Sequence, residues 1–552
     1  MLSDDLKTLG PSLSTDLTDF LVTNRGLSPA AARQRVSRGA PQIKRLAHLP
    51  FARKARFLYH QDDYASPRYW ESLYAAIFAT NGPYARALGA IHAREVVPLE
   101  HFLGACGAPI AQKKQLSALT VLDRLVAANV LVKHAMSGLG MCVMTKKTYE
   151  RHQQSLDELA AATRSRLITE TVLLDSIREW LRRLAMVSYN AVRTRGAEMP
   201  RVGTFAWDLT APSYLTSVLT RLKDKGVKSG WVVCDVLLIE SAQLKHVEPF
   251  LHKVRSLGAL KNIGRTMFIV VAQGYDGDAF KALRSAGVML ATPTSLFGKD
   301  VADGFRDLIQ TLNEAAKGVV DPEKFDQLFS KLGKLEGAVG NMRGAFFELL
   351  VAEVVRKTAA GPVKLNKICK GEDGNAEVDV YHLNEGIAAQ MIECKGIAPG
   401  TFVDDEEVGL WLTTRIKRVR HHLQQLGWSG SPPRFELWTS GTLSVQAHER
   451  VEKTRLANAK KFEITIVEGD ALRVAVKAVN DASLLKTFEH HFCRRHLHKT
   501  RNKHARNASS SRAPRFCADG KSPMSTIHGC QYRRPLIANS SYSRQVNWHP
   551  VG

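Results

Sequence analysis

A chain of 552 residues, 44% of them hydrophobic, is long enough for about three or four domains with ordinary cores. It carries 77 Lys and Arg against 53 Asp and Glu, and the resulting charge of +24 favours a polyanionic partner, with nucleic acid first among them. The eight cysteines form no CxxC pair and lie mostly in apolar runs, which argues against a disulfide framework or a zinc site. Met1-Leu2-Ser3-Asp4-Asp5 has neither the basic region nor the apolar core of a signal peptide, and no apolar run is long enough to span a membrane. The expectation is a cytoplasmic protein.

Residues 1–85 read as a winged-helix-like unit. Asp16–Val22 opens a helix with an apolar stripe, Asn24–Leu27 turns, Ser28 suits an N-cap and Pro29 the first helical position. The following helix, to Arg38, sets Ala32 and Val36 on one face and Arg33, Arg35 and Arg38 elsewhere. Two helices joined by a short turn, the second bearing arginines, follow the helix-turn-helix plan, with Arg53–Tyr59 as the wing strand. A second such unit covers 86–150, with a helix at Leu119–Val126 and a hairpin formed by Val130–Lys133, the turn Ser137–Gly140 and Met141–Met144. Arg33, Arg35 and Arg38 are candidate DNA contacts. A helical bundle with a solvated basic face, or a protein–protein surface, is the competing reading of these units.

Residues 151–195 form a connecting helix in which Leu173, Ile177, Leu181 and Leu184 recur beside Trp180, as a packed connector or dimer contact. Residues 196–300 are α/β, with strands at Thr204–Asp208, Gly230–Leu237, Met267–Ala272 and Gly287–Leu290, and a helix at Asp278–Arg284. Residues 301–340 are a helical connector with Phe305, Leu308, Ile309 and Leu312 on one face and a break at Asp321-Pro322.

The chemistry concentrates in Glu377-Val378-Asp379-Val380 and Met391-Ile392-Glu393-Cys394-Lys395, read as neighbouring strands. Side chains alternate along a strand, so Ile392 and Cys394 pack inward while Glu393 and Lys395 meet solvent. Val378 and Val380 are buried together, with Glu377 and Asp379 on the opposite face. One acid from each strand and one lysine then converge. Two carboxylates suit the oxygen-only preference of Mg²⁺. A bound ion polarises a phosphate and lowers the pKa of water. The lysine orients or deprotonates the nucleophile, or steadies developing charge.

Asp379, a spacer and Glu393-Cys394-Lys395 resemble the PD-(D/E)xK nuclease superfamily, of restriction-endonuclease-like fold, over residues 335–475. Val378 stands where that family often has proline. The resemblance implies that the helix Arg343–Val351 supplies Glu348 as an auxiliary acid. It also implies Asp379 and Glu393 as ligands of Mg²⁺ or Mn²⁺, and Lys395 as the water-positioning or charge-stabilising group. The helix Val408–Gln425, with Arg415, Lys417, Arg418, Arg420 and His421, would lie near the substrate and contact phosphates. The segment 196–300 is similar to the same fold, but no Glu-x-Lys follows Asp235. It reads as a degenerate copy whose Asp208 and Asp235 are structural acids or metal ligands.

The fold class expected is therefore multidomain α/β plus α, with a helical, winged-helix N-terminal half and the nuclease-like domain at 341–478. Residues 479–552 are basic and aperiodic and read as a disordered tail, in which Cys493, His496, His498, Cys517, His528 and Cys530 match no standard zinc spacing. There is no GxxxxGK[ST] loop, GxSxG elbow or HExxH helix. The function expected is a metal-dependent DNA endonuclease in a restriction, repair or phage-defence setting; a homodimer is compatible with it. The alternatives are a DNA-binding regulator or scaffold with a silent nuclease fold, and an RNase.

Overall fold

Residues 2–493, apart from 114, 197–198, 222–226, 261–262 and 336–337, are described by a computed structural model. They form a mixed helix-and-sheet, multidomain protein with several small sheets. No helix among them is long and apolar enough to cross a membrane.

At the N-terminus, the helices Leu2–Leu9, Ser14–Arg25 and Pro29–Arg38 accompany a three-stranded antiparallel sheet of Ser12–Leu13, Phe57–His60 and Ile43–Arg45, in that spatial order. Gly26, at φ 63°, closes one helix, and the Ser28 hydroxyl caps the next by accepting from the Ala31 N–H at 3.3 Å. Ala32 and Val36 are buried. The strand assigned to Arg53–Tyr59 is shorter than expected. Arg53 and Lys54 take left-handed φ values of 54° and 62° in a 3₁₀ turn, so pairing starts only at Phe57. The same plan recurs with the helices Pro83–His92, Leu99–Ala105 and Ala118–Ala127 and the strands Val96–Pro98, Gly140–Thr145 and Leu131–Met136.

The middle unit begins with helix α1 (Leu156–Arg183), which buries Leu173, Ile177 and Leu181. Leu184, expected on the same stripe, lies past the helix end and is exposed. A five-stranded sheet follows: β1 (Arg193–Thr194), β2 (Leu209–Ser213), β3 (Gly230–Leu237), β4 (Thr266–Ala272) and β5 (Met289–Ala291), in spatial order 1-2-3-4-5. The first three strands are antiparallel neighbours and the last two pairings are parallel. Helix α2 (Leu244–Gly258) crosses from β3 to β4, and α3 (Gly277–Ser285) from β4 to β5. Buried on both faces, β3 and β4 are nearly continuous apolar runs.

The second α/β unit repeats this order. Helix α4 (Ala338–Thr358) leads to β6 (Val363–Lys370), β7 (Asn375–Asn384), β8 (Ala388–Lys395), β9 (Arg434–Thr439) and β10 (Glu463–Val467), again with two antiparallel and then two parallel pairings. The helices Asp405–Leu410 and α5 (Ile416–Gln425), joined by a π-helical turn, make the first crossover, and α6 (Val445–Asn458) the second. Phe346, Phe347, Leu350, Val351, Val354 and Val355 are buried all round α4 because it lies inside one core shared by both sheets, α1 and the helices Lys299–Ala316 and Pro322–Leu332.

The stretch 479–552, expected to be a disordered tail, starts with a packed helix, Ala482–His491, which buries Leu484 and Phe488 together with Phe492. These recur every fourth residue, a helical signal masked by the basic composition around it. Cys493 is half-buried. His496, His498, Cys517, His528 and Cys530 lie outside the described residues.

Within the middle unit the acids carry their own cations. Arg195 reaches between Glu170 of α1 and Asp208, bonding both carboxylates, and Lys253 of α2 bonds Asp235 and the carbonyls of Gly104 and Ala206. All five side chains are buried. Removing one partner of a buried pair strands the other. Arg195→Leu is therefore expected to lower stability by about 3–5 kcal/mol, read as a drop in the urea midpoint. An unshifted midpoint would show that the pair is dispensable.

Candidate active site

Strands β7 and β8 pair from Asn384↔Ala388 as far as Val380↔Ile392 and then part. Beyond that point β8 keeps only β9, with Glu393 opposite Leu437 and Lys395 opposite Thr439. Asp379 fills the gap: its Oδ2 accepts the Cys394 N–H at 2.7 Å, so a side-chain carboxylate replaces a ladder carbonyl. On the other side of β7, Asn366 interrupts β6 with a left-handed φ of 52°.

The pleat breaks at the same level. Val378 and Val380 are both buried but in different cores, Val378 with Met391 and the α5 helix, Val380 with Ile392, Cys394 and α4. The expectation that the two valines share a face fails: β7 changes face at Asp379, which lies opposite the left-handed Asn366, while the pairing register is the same on either side. Glu393, expected at the solvent, is buried at 4% exposure under Arg415, whose Nη1 donates to Oε1. Lys395 Nζ lies 3.2 Å from that oxygen and 2.8 Å from Glu407 Oε2.

Two further elements reach the cluster. Helix α4 supplies Glu348, half-buried. Helix α1, expected to be only a connector, supplies Arg164, with Nη2 3.6 Å from Glu377 Oε1 and donating to the Ser137 carbonyl at 3.2 Å. The Ser137 hydroxyl in turn donates to the Asn366 carbonyl at 2.9 Å. The Asn366 side-chain amide is best oriented with its NH₂ toward Glu377, at 3.3 Å, and its oxygen toward Arg164, at 2.5 Å. A hairpin turn of the second N-terminal unit is thereby tied to the acid cluster.

Burial raises Asp379 well above the usual carboxylate range, and the neighbouring Glu393 and Glu348 push it further against the Cys394 N–H. Glu348 is raised to about 7, by burial first, with Arg164 opposing and Glu377 and Glu393 adding. Glu377 is raised by burial. Burial works against the charge on Lys395, but Glu393 and Glu407 outweigh it and hold the ammonium. In the middle unit, burial also opposes ionisation of Glu170 and Asp208, yet Arg195 wins and both are lowered. Asp235 there is raised by burial despite Lys253.

Glu348, Asp379, Glu393 and Lys395 are thus neighbours. Among the described residues, however, the group of three potential ligands with donor atoms within 4.8 Å of one another is Asp326, His490 and His491. The Glu393 carboxylate is held by Arg415 and the Asp379 carboxylate by an amide, which keeps them from closing on one point. His491 Nε2 lies 2.6 Å from Asp326 Oδ1 and its ring stacks on Phe329. Sequence reasoning missed this trio because it placed His490 and His491 inside a disordered tail. It also missed Arg164 and Glu407, which only the tertiary fold brings in.

Of the residues singled out for DNA, Arg33 and Arg38 are exposed, while Arg35 lies 3.6 Å from the buried Asp5, which Arg25 also binds. Arg415 turns inward to Glu393. Arg418 is tied to the Asp373 carboxylate at 3.0 Å and to the carbonyls of Asp373 and Asn375. Lys417 is exposed, 3.8 Å from Asp373.

No protein-family model and no curated protein matches this chain. Among solved structures, the crystal structure of AF1548, a protein of unknown function, is similar to it at 19% identity and a TM-score of 0.18, over 24% of this chain and 64% of AF1548, under two thirds of that protein's length. A likeness at that score carries no argument about fold or activity.

Proposed function

We propose that this chain hydrolyses phosphodiester bonds in DNA with Mg²⁺ or Mn²⁺. The observation that carries the reading is an acid cluster with more carboxylates than cations at the point where β7 and β8 part. Asp379, Glu393, Glu348, Glu377 and Glu407 stand there against Lys395, Arg164 and Arg415. The order of strands and helices around it also fits the resemblance to PD-(D/E)xK nucleases. A cytoplasmic site of action goes with this reading, as does a role in restriction, repair or phage defence, the latter by analogy alone.

The donor set fits a hard divalent cation in that its oxygens are carboxylate oxygens; Asp379 is bonded to an amide, whereas Glu393 is held by Arg415 and Lys395, which a bound ion would have to displace. Asp379 and Glu393 would hold the ion. When bound, such an ion supplies a Lewis acid and a water of lowered pKa. The remaining roles belong to the chain. Lys395, kept charged by Glu393 and Glu407, stabilises negative charge on the phosphate and does not act as the base. Glu348, raised to about 7, is the group able to exchange a proton near neutral pH. Arg415 keeps Glu393 paired in the ion-free state, and its guanidinium is suited to phosphate once released.

Asp379→Ala, Glu393→Ala and Lys395→Ala are each expected to abolish Mg²⁺-dependent cleavage of duplex DNA while the circular dichroism spectrum is kept. Undiminished cleavage in all three would remove the assignment. Parallel reactions with single-stranded DNA and RNA test the RNase alternative.

Glu348→Gln is expected to stabilise the ion-free protein. A carboxyl at about 7 when folded, against its ordinary 4.5, loses stability as pH rises across that window, by about 3 kcal/mol once fully ionised. The variant should melt higher than the parent at pH 8 and equally at pH 4, and equal melting at both would defeat the claim.

Arg33→Ala with Arg38→Ala is expected to weaken DNA binding alike across sequences and to lower the slope of log K against log salt by about 2. An unchanged slope would place the DNA elsewhere. Binding that depends on these arginines in a chain that never cleaves would favour the regulator reading.

A further inference from the structure

The two α/β units correspond residue by residue at their acid clusters. Each ladder between the second and third strands ends in one pair, Leu209↔Cys234 in the middle unit and Val380↔Ile392 in the second. Immediately beyond each pair an aspartate leaves the ladder. Asp208 Oδ2 accepts the Val236 N–H at 2.8 Å, as Asp379 Oδ2 accepts the Cys394 N–H at 2.7 Å. Register and hydrogen bond agree, so Asp208 matches Asp379, Asp235 matches Glu393, Val236 matches Cys394 and Leu237 matches Lys395. Glu170 on α1 takes the part of Glu348 on α4. Lys253, on the helix that crosses from the third strand to the fourth, holds Asp235 as Arg415 holds Glu393.

Two differences separate the clusters. The buried hydrocarbon of Leu237 stands in place of the ammonium of Lys395. Arg195 fills the space between Glu170 and Asp208, and both of those acids are bonded to it. The middle cluster lacks an amine at the strand position of Lys395; its ammonium, Lys253, comes from α2 and is tied to Asp235 and two carbonyls, while Arg195 occupies Glu170 and Asp208. The two acid-bearing helices, α1 and α4, share one core, so the units form a covalently linked pair.

A symmetric dimer of cutting subunits presents two equal sites to a duplex. This chain carries a pair of units of which one is equipped. We propose that it acts as a monomer and breaks one strand of duplex DNA per encounter, with the middle unit as a silent partner. In that step the oxygen of water bonds to phosphorus and one phosphorus–oxygen ester bond breaks. The sugar oxygen leaves as a hydroxyl, taking up a proton from the water. This inference rests on the hydrolase reading above.

The test uses the full chain, its mass in solution measured by light scattering, with supercoiled plasmid and Mg²⁺ or Mn²⁺. A monomer is expected, with open circles accumulating first and linear DNA appearing only late, from independent nicks. Asp235→Asn combined with Lys253→Met, which removes both charges of the buried pair, should keep the nicking rate, and Lys395→Ala should lose it. A dimer in solution, linear DNA as the first product, or loss of nicking in the folded double variant would overturn the inference while leaving the hydrolase reading intact. No product from the parent chain, or equal product from Lys395→Ala, would overturn both.

Discussion

The bond from the Cys394 amide to the Asp379 carboxylate sets the geometry of the whole site. A ladder that ran on would put a carbonyl there and bury the aspartate against its neighbour. Because the strands part, a charged group is built into the sheet, where it has one donor and low-dielectric surroundings. Burying a carboxylate without a matching cation is costly. The protein tolerates this because Val380, Ile392, Cys394 and Trp438 anchor the strands in a large core on one face, and Val378 and Met391 in a second core on the other. The packing over-determines the backbone, so the acid stays in place and its burial appears as a raised pKa.

The two α/β units show what such a cluster looks like with and without that cost. In the middle unit Arg195 and Lys253 sit among Glu170, Asp208 and Asp235, and Glu170 and Asp208 ionise readily. In the second unit the guanidinium of Arg164 stops at Glu377, leaving Asp379 and Glu348 with burial as the dominant influence. The same backbone plan thus places Arg195 between Glu170 and Asp208 in one unit, and in the other pairs Glu393 with Arg415 and Lys395 while Asp379 has an amide. Structural ion pairs settle their charges internally, whereas a site that must accept a cation or a proton leaves them open.

How much of this was legible beforehand follows from the range of each signal. Alternation along a strand drew attention to Asp379, Glu393 and Lys395, because period two is a local property, but it misplaced Glu393 at the solvent and Val378 beside Val380. Helical spacing found the buried face of α1, whereas Glu348 was named only through the family resemblance. Asn366 was invisible, since a left-handed residue within a strand has no mark beyond being asparagine. Arg164, Arg415 and Glu407 could not be placed, because they reach the cluster from separate helices. The likeness of the two sheets was only half visible: β1 has two residues and carries no pattern, and α2, with Pro249 inside it, escaped notice.

The position of Arg164 connects the N-terminal half to the acid cluster. One guanidinium touches the Ser137 carbonyl and Glu377, and Ser137 holds Asn366 beside them. A displacement of the hairpin that carries Ser137 therefore acts on the residue opposite Asp379 through two hydrogen bonds and one ion pair. An arginine fork loses its alignment when either end moves, since its donors are fixed in a plane. The element that carries Arg164 is α1, which also bears Glu170 in the paired cluster. One helix thus supplies an anion, Glu170, to the cluster of the middle unit and a cation, Arg164, to that of the second, while its apolar face, Leu173, Ile177 and Leu181, holds it in the core shared by both sheets.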